Sequence, residues 1–134
     1  PRATVQRQLR EMKKEGIVNE NNEANTTLLY KIKKSSYFVE KIVQSGLIEF
    51  LIKKMNPSCI ILFGSVRKGD STIDSDADIF VESSIKKIPD VKKFEAKIGH
   101  KIDLFVKPSI NKLHDNLFNN VINGIKLFGS LKIR

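Results

Sequence analysis

The 134-residue sequence contains one cysteine and no tryptophan, and it has no hydrophobic run of the length that spans a bilayer. Because Cys59 has no second cysteine to pair with, an internal disulfide and a cysteine-based metal site are excluded, and a reducing cytoplasm is the expected location. A membrane-spanning helix needs roughly 20 apolar residues, so a membrane span is excluded, and no secretory signal is expected. The scarcity of tryptophan and tyrosine gives no support for a surface that stacks nucleic-acid bases.

Basic residues outnumber acidic residues by 24 to 15, which gives a formal net charge of +9. This excess favours polyanionic partners, namely nucleic acid, nucleotide phosphates or an acidic protein, and a lysine-rich solvating surface is the alternative. Hydrophobic residues make up 40% of the chain, as in ordinary globular proteins. A chain of this size can bury about two-thirds of its unfolded surface, so the composition predicts a folded core rather than disorder.

The sequence divides into an N-terminal segment, residues 1–36, and a larger domain, residues 37–134. In the N-terminal segment, apolar residues at helical spacing predict a helix over residues 3–14. Two short apolar runs, residues 17–18 and 28–32, predict strands, and the polar turn residues between them predict a β-hairpin.

Helical and strand patterns alternate in the larger domain. A continuous apolar run over residues 58–63 predicts a strand that is covered on both faces. The other predicted elements are a helical stretch over 37–55 with an interruption at Gly46, a helix over 91–98 capped by Asp90, a helix over 110–121, and strands over 79–81, 102–106, 125–128 and 131–133. This alternation predicts the α/β (α+β) class, with a small mixed sheet and helices packed on it.

A glycine-serine pair, Gly64-Ser65, follows the predicted buried strand. Glycine lets the backbone approach a ligand closely, and the free N–H groups at the start of a following helix suit a phosphate. The Ser65 hydroxyl can donate a hydrogen bond to a phosphate oxygen. The end of this strand is therefore a candidate phosphate site.

Two aspartates, Asp76 and Asp78, precede or open the next strand. At positions i and i+2 of an extended chain their side chains face the same way, so their charges repel unless a divalent cation lies between them. Carboxylate oxygens suit Mg²⁺ or Mn²⁺. Asp103, within an apolar strand, either joins them if the two strands are neighbours or simply faces solvent.

The whole spaced set resembles the minimal nucleotidyltransferases of the DNA polymerase beta superfamily, over about residues 37–134. The matching positions are Gly64-Ser65, Gly69, Ser75, the pair Asp76-x-Asp78 and the distal Asp103. The resemblance implies the nucleotidyltransferase fold. It also implies transfer of NMP from an NTP, with ATP the expected donor, to an acceptor hydroxyl with release of pyrophosphate.

The resemblance also implies roles for individual residues. Asp76 and Asp78 would hold two Mg²⁺ or Mn²⁺ ions, and Asp103 would bind the catalytic ion and help to remove the proton of the acceptor. Gly64 and Ser65 would hold the β- and γ-phosphates.

Two basic residues, Arg67 and Lys68, lie where phosphate contacts are expected, and Ser75 belongs to the same nucleotide-binding set. The family more often has arginine directly before the glycine that corresponds to Gly69, and Lys68 occupies that place here. The alternative for Arg67 and Lys68 is a pair of solvated surface charges.

Family members of this size resemble the antitoxin half of two-gene toxin–antitoxin modules. Such a resemblance implies a HEPN-type ribonuclease as partner, which modification with AMP would silence, and a homo-oligomer is a further expectation. An aminoglycoside-type resistance transferase is the alternative enzyme, which the lack of a substantial second domain disfavours.

The N-terminal segment resembles the recognition helix and wing of winged helix-turn-helix regulators. By that resemblance, Arg2, Gln6, Arg7 and Arg10 would face DNA phosphates or base edges. The alternative to an enzyme is therefore a DNA-binding regulator, or a partner-binding antitoxin, whose transferase site is vestigial.

Overall fold

The computed structural model describes residues 27–65 and 75–133, and within the N-terminal segment it describes three helical positions, Arg7, Arg10 and Glu11. In chain order, the elements are α1 (Leu28–Gln44), α2 (Leu47–Met55), β1 (Cys59–Phe63), β2 (Ala77–Glu82), α3 (Lys92–Ile98), β3 (Ile102–Lys107), a 3₁₀ helix (Ile110–Lys112), α4 (Asp115–Ile122) and β4 (Ile125–Gly129). No helix in these ranges is long and apolar enough to cross a membrane.

The four strands form one mixed sheet in the order β3-β2-β1-β4. Strand β1 is antiparallel to both β2 and β4, whereas β2 and β3 are parallel and are connected through α3. The register places Phe63 opposite Asp78, and Asp78 opposite Asp103. Since residues opposite one another on paired strands share a face, these three side chains form one row across the sheet. The prediction of a small mixed sheet with helices packed on it is confirmed.

Helices cover the sheet on both faces. One face packs against α1, α2 and α3, and its largest fully buried side chains are Ile42, Leu47, Leu51, Met55, Ile60, Leu62, Ile79 and Ile98. The other face packs against the 3₁₀ helix and α4, with a core of Cys59, Ile61, Phe63, Phe80, Ile110 and Val121. Every residue of β1 is buried, as its continuous apolar run predicts.

The lone cysteine, Cys59, is a core residue. Burial raises the pKa of its thiol to about 11, and the nearby charge of Glu82 contributes in the same direction. The thiol is therefore protonated at neutral pH and acts as a small hydrophobic side chain, as predicted.

The break between α1 and α2 is at Gly46, which adopts a left-handed conformation with φ of 87°. The hydroxyl of Ser45 donates to the carbonyl oxygen of Ile42 (2.6 Å) and accepts from the Leu47 N–H (3.2 Å), which closes one helix and starts the next. The helix after this break ends at Met55, just before Asn56 and Pro57. The predicted interruption at Gly46 is confirmed.

The predicted strand over residues 28–32 is wrong, because these residues form the first turns of α1. The Thr27 hydroxyl accepts a hydrogen bond from the Tyr30 N–H (3.2 Å), and this N-cap favours the helix. A run of five mostly apolar residues does not distinguish a strand from the start of a longer helix. The other half of the predicted hairpin, including residues 17–18, lies outside the described residues.

Two predictions near the C-terminus also need correction. The helix over 110–121 is split into the 3₁₀ helix and α4, because Leu113 and His114 have extended backbone conformations. The strand over 131–133 is absent, since those residues have no regular structure. Pairing with β1 ends near Gly129, where the chain turns with φ of 79° and the Ser130 N–H donates to the Ser58 carbonyl oxygen (3.0 Å).

A buried carboxylate, Glu82, connects the sheet to the 3₁₀ helix. Its Oε2 accepts a hydrogen bond from the Ile110 N–H at 2.7 Å, and its Oε1 accepts one from the Ser58 hydroxyl. These two donors replace the water that the carboxylate loses on burial.

We expect Glu82→Leu to lower the free energy of unfolding by about 1–3 kcal/mol, because the buried Ile110 N–H loses its acceptor. Glu82→Gln keeps an acceptor oxygen at nearly the same position and should lower the free energy of unfolding by less. Urea unfolding of both variants measures the difference. Equal losses in the two variants would show that the hydrogen bond to Ile110 contributes nothing measurable.

Candidate active site

The end of strand β1 lies directly against an aspartate of strand β2. Gly64 follows β1 with φ of 80°, and it opens a helical turn that includes Ser65. A Cβ placed on Gly64 would collide with the Asp78 carboxylate oxygen Oδ2 and would lie 3.2 Å from Asp78 Cγ. Glycine is therefore required here for two reasons, namely its left-handed backbone and the close approach of Asp78.

The pairing of β2 with β3 brings Asp78 and Asp103 together on one face of the sheet. Asp78 is half-buried, whereas Asp103 and Asp76 are exposed. The next residue along this face in β3 is Phe105, whose ring lies 5.3 Å from the ring of Phe63. The acidic side chains thus lie at the edge of a hydrophobic surface, with one of them partly withdrawn from water.

Three carboxylates lie near one another in the site, and their negative charges affect the pKa of Asp78. Burial first, and then the negative charges of Asp103 and Asp76, together raise the pKa of Asp78 from 3.8 to about 6. The Asp78 carboxylate is therefore affected by the negative charge of both neighbours, as the i, i+2 spacing and the pairing of β2 with β3 predict. Asp103 is exposed and pairs with Asp78 in register, so the strands are neighbours as its predicted role requires, and its joining of Asp76 and Asp78 in one site stays a prediction.

The chemistry of this donor set fits a hard divalent cation, since it offers carboxylate oxygens whose repulsion a cation relieves. Within residues 27–65 and 75–133, however, no three His, Cys, Asp or Glu side chains are arranged to hold a metal ion together. Joint ligation of metal by Asp76, Asp78 and Asp103 therefore stays a prediction.

The remaining predicted site residues have mixed outcomes. Ser65 is half-buried at the start of the helical turn, and Ser75 lies one residue before Asp76. Arg67 and Lys68 lie outside the described residues, as do Arg2 and Gln6. Arg7 and Arg10 are exposed helical residues, which leaves their predicted contact with DNA untested.

One contact of the site has no signal in the sequence. His100, predicted to have a surface or capping role, is half-buried, and its Nδ1 lies 2.6 Å from the carbonyl oxygen of Ser75. A cavity of about 550 Å³ lies beside this contact, and Asp76, Glu95 and Lys101 are among its lining residues. Because His100 and Ser75 are 25 positions apart, only the fold brings them together.

These features define a nucleotidyltransferase fold. They are a mixed sheet with helices on both faces, a glycine-serine turn after β1, and aspartates on β2 and β3. Comparison with known families agrees, and residues 45–130 match the family described as "Polymerase beta, Nucleotidyltransferase". The chain belongs to this family. A search of curated proteins and a search of solved structures returned no match.

Family membership supports nucleotidyl transfer as the general activity and a nucleoside triphosphate as substrate. The matched range includes Gly64, Ser65 and all three aspartates of the site. It does not include the predicted helix over residues 3–14.

We expect Gly64→Ala to lower both stability and transferase activity. The left-handed conformation alone costs an alanine about 1–2 kcal/mol, and the new Cβ must also displace the Asp78 carboxylate. A displacement of about 1 Å in such a group can reduce activity roughly 100-fold.

Gly46→Ala is the matched control, because Gly46 has a similar φ of 87° but its added Cβ would meet only Phe94, at 3.9 Å. It should show the stability loss with activity near that of the wild type. Thermal unfolding and a transfer assay measure the two effects. Equal activity in the two variants would contradict the importance of the Gly64–Asp78 contact.

The raised pKa of Asp78 makes stability depend on pH. The folded chain binds this proton more tightly than the unfolded chain does, so the free energy of unfolding falls as pH rises from about 4 to about 6. Asp78→Asn removes the charge and should be more stable than the wild type near pH 7.5. We expect a gain of about 1–2 kcal/mol, less than the full shift implies because the site is open to water.

Near pH 4 this advantage should vanish, since wild-type Asp78 is then protonated in the fold. Denaturant unfolding in EDTA, near pH 7.5 and near pH 4, measures the stability difference between Asp78→Asn and the wild type. Asp115→Asn is the control, because Asp115 lies in the first turn of α4, where a negative charge is favourable. A destabilised Asp78→Asn variant at neutral pH would contradict the charge repulsion inferred here.

Proposed function

We propose that this chain is a metal-dependent nucleotidyltransferase that transfers AMP from ATP to an acceptor hydroxyl. The observation that carries the proposal is the register of β2 and β3, which pairs Asp78 with Asp103 beside Gly64. Membership of the Polymerase beta, Nucleotidyltransferase family supports the reaction class. The metal requirement and the choice of ATP are parts of the proposal.

The three aspartates have different positions and therefore different proposed roles. Asp76 and Asp78 would hold the divalent cations, which when bound supply positive charge that neutralises the phosphates and lowers the pKa of the acceptor hydroxyl. Asp103 would also bind the catalytic cation. Because Asp103 is exposed, an acceptor can reach it, and its carboxylate would help to take the proton of the hydroxyl.

The proposed reaction needs only ATP and the acceptor hydroxyl as reactants. The acceptor oxygen forms a bond to the α-phosphorus as the bond from that phosphorus to the bridging oxygen breaks, and pyrophosphate leaves with the electron pair. The backbone N–H groups of the turn at Gly64 and Ser65 would bind the β- and γ-phosphates. Arg67 and Lys68, which follow in sequence, would add positive charge there.

We also propose that the acceptor hydroxyl belongs to a partner protein, a HEPN-type ribonuclease that AMP would silence. The resemblance to small antitoxin nucleotidyltransferases motivates this choice. The exposure of Asp76 and Asp103 supports it, because an open site admits a hydroxyl carried on a macromolecule. A winged-helix regulator is not proposed, since residues 28–32, one strand of the predicted wing, are helical.

The test of the proposed function is transfer of label from ATP labelled at the α-phosphate. The purified chain is incubated with Mg²⁺ and a lysate of the source cells, with and without EDTA. We expect a labelled protein band that depends on Mg²⁺. The variants Asp76→Asn, Asp78→Asn and Asp103→Asn should each reduce the labelling rate at least about 100-fold. Asp115→Asn should label at the wild-type rate.

Label that survives all three substitutions would contradict the assigned site. Label on RNA, or on an added aminoglycoside, would keep the transferase and overturn the protein acceptor. A folded chain that binds neither Mg²⁺ nor ATP and transfers nothing would instead favour a vestigial site in a partner-binding antitoxin.

A further inference from the structure

The backbone on both sides of Asp76 is held by one loop, the turn that joins α3 to β3. On one side, the Ala77 N–H donates to the Lys101 carbonyl oxygen at 2.7 Å. On the other, the Ser75 carbonyl oxygen lies 2.6 Å from His100 Nδ1. A carbonyl oxygen can only accept, so Nδ1 carries the proton and donates it.

His100 is itself fixed in place by two kinds of contact. Its ring packs edge-on against the ring of Phe38 in α1, with centroids 4.7 Å apart and planes at 72°. The loop turns at Gly99, where φ is 82°, and the Gly99 N–H donates to the Glu95 carbonyl oxygen at 2.8 Å. The Glu95 carboxylate then accepts from the Ile102 N–H at 2.7 Å. The imidazole is thus a donor on a well-supported loop.

Asp76 depends on these contacts more than its neighbour Asp78 does. Asp78 lies inside β2, where pairing with β1 and β3 fixes its direction. Asp76 is exposed and precedes the strand, so the backbone at Ser75 and Ala77 sets where its carboxylate points. The hydrogen bond from His100 fixes the backbone at Ser75, which precedes β2 and lies directly before Asp76.

We propose that His100 is a positioning residue for Asp76: by donating from Nδ1 to the Ser75 carbonyl oxygen, it directs the Asp76 carboxylate towards Asp78 so that both can bind one divalent cation. The proposal rests on the proposed function for the existence of that cation site. It adds a residue outside the acidic motif, on a different loop, that sets the affinity of the site. Partners that orient metal ligands commonly change metal affinity 10- to 100-fold when they are removed.

Two substitutions separate the hydrogen bond from the packing of the ring. His100→Phe keeps an aromatic ring against Phe38 but has no donor. His100→Asn loses the ring but can place its Nδ2 amide where Nδ1 lies, so it keeps the donor. His114→Phe is the matched control, because His114 is exposed at the start of α4 and its side chain makes no capping hydrogen bond.

The measurement is the dissociation constant of Mn²⁺ for the full chain without nucleotide, from the electron paramagnetic resonance signal of free Mn²⁺. Thermal unfolding of each variant accompanies it as a check of the fold. We expect His100→Phe to weaken binding about 10-fold or more. His100→Asn should restore most of the affinity, and His114→Phe should match the wild type.

Unchanged Mn²⁺ affinity in His100→Phe would overturn the positioning role, and a loss confined to His100→Asn would assign the effect to ring packing instead. Equal losses in the two variants would also overturn it, because the donor alone would then fail to restore the affinity. None of these results would affect the proposed transferase, which the labelling assay tests separately. If Asp76→Asn and the wild type bound Mn²⁺ equally, no cation site would exist at Asp76, and both proposals would fall.

Discussion

The pairing of strand β2 with its two neighbours is the constraint on which the site depends. Parallel register with β3 puts Asp78 beside Asp103, and antiparallel register with β1 puts it beside Phe63. The glycine that follows Phe63 leaves the space that the Asp78 carboxylate occupies. A shift of one residue in either pairing would turn the side chains of β2 to the opposite face and disperse the acidic groups. The buried residues of both faces therefore hold the site together by fixing that register.

Two carboxylates on the same face of β2, Glu82 and Asp78, have different surroundings, and we assign them a structural and a functional role respectively. Glu82 is buried, and its oxygens accept hydrogen bonds from the Ile110 N–H and the Ser58 hydroxyl, so it is satisfied within the protein. Asp78 lies beside two further carboxylates, and its raised pKa records both burial and their repulsion. Such repulsion opposes folding of the chain alone and favours a bound cation, which is the balance that a metal-dependent transferase requires.

The sequence predicted the central sheet well because strong local patterns determine it. The continuous apolar run before Gly64 indicates a strand buried on both faces, and aspartates at i, i+2 indicate side chains on one side. The start of α1 has the pattern of a strand because residues 28–32 form a short and mostly apolar run. Its N-cap residue, Thr27, is informative only once the helix is known. The contact of His100 with Ser75 could not be predicted, since it depends on how α3 returns the chain to β3.

The central claim is that the row formed by Asp78 and Asp103, with Asp76 beside it, binds divalent cations in the transferase. Anomalous diffraction from a crystal grown with Mn²⁺ and a non-hydrolysable ATP analogue tests it most directly. The account predicts a Mn²⁺ peak about 2.0–2.2 Å from carboxylate oxygens of Asp78 and of at least one of the other two aspartates, with the triphosphate at the Gly64-Ser65 turn. An ordered nucleotide with no anomalous peak at these aspartates would contradict it, as would a Mn²⁺ ion bound elsewhere.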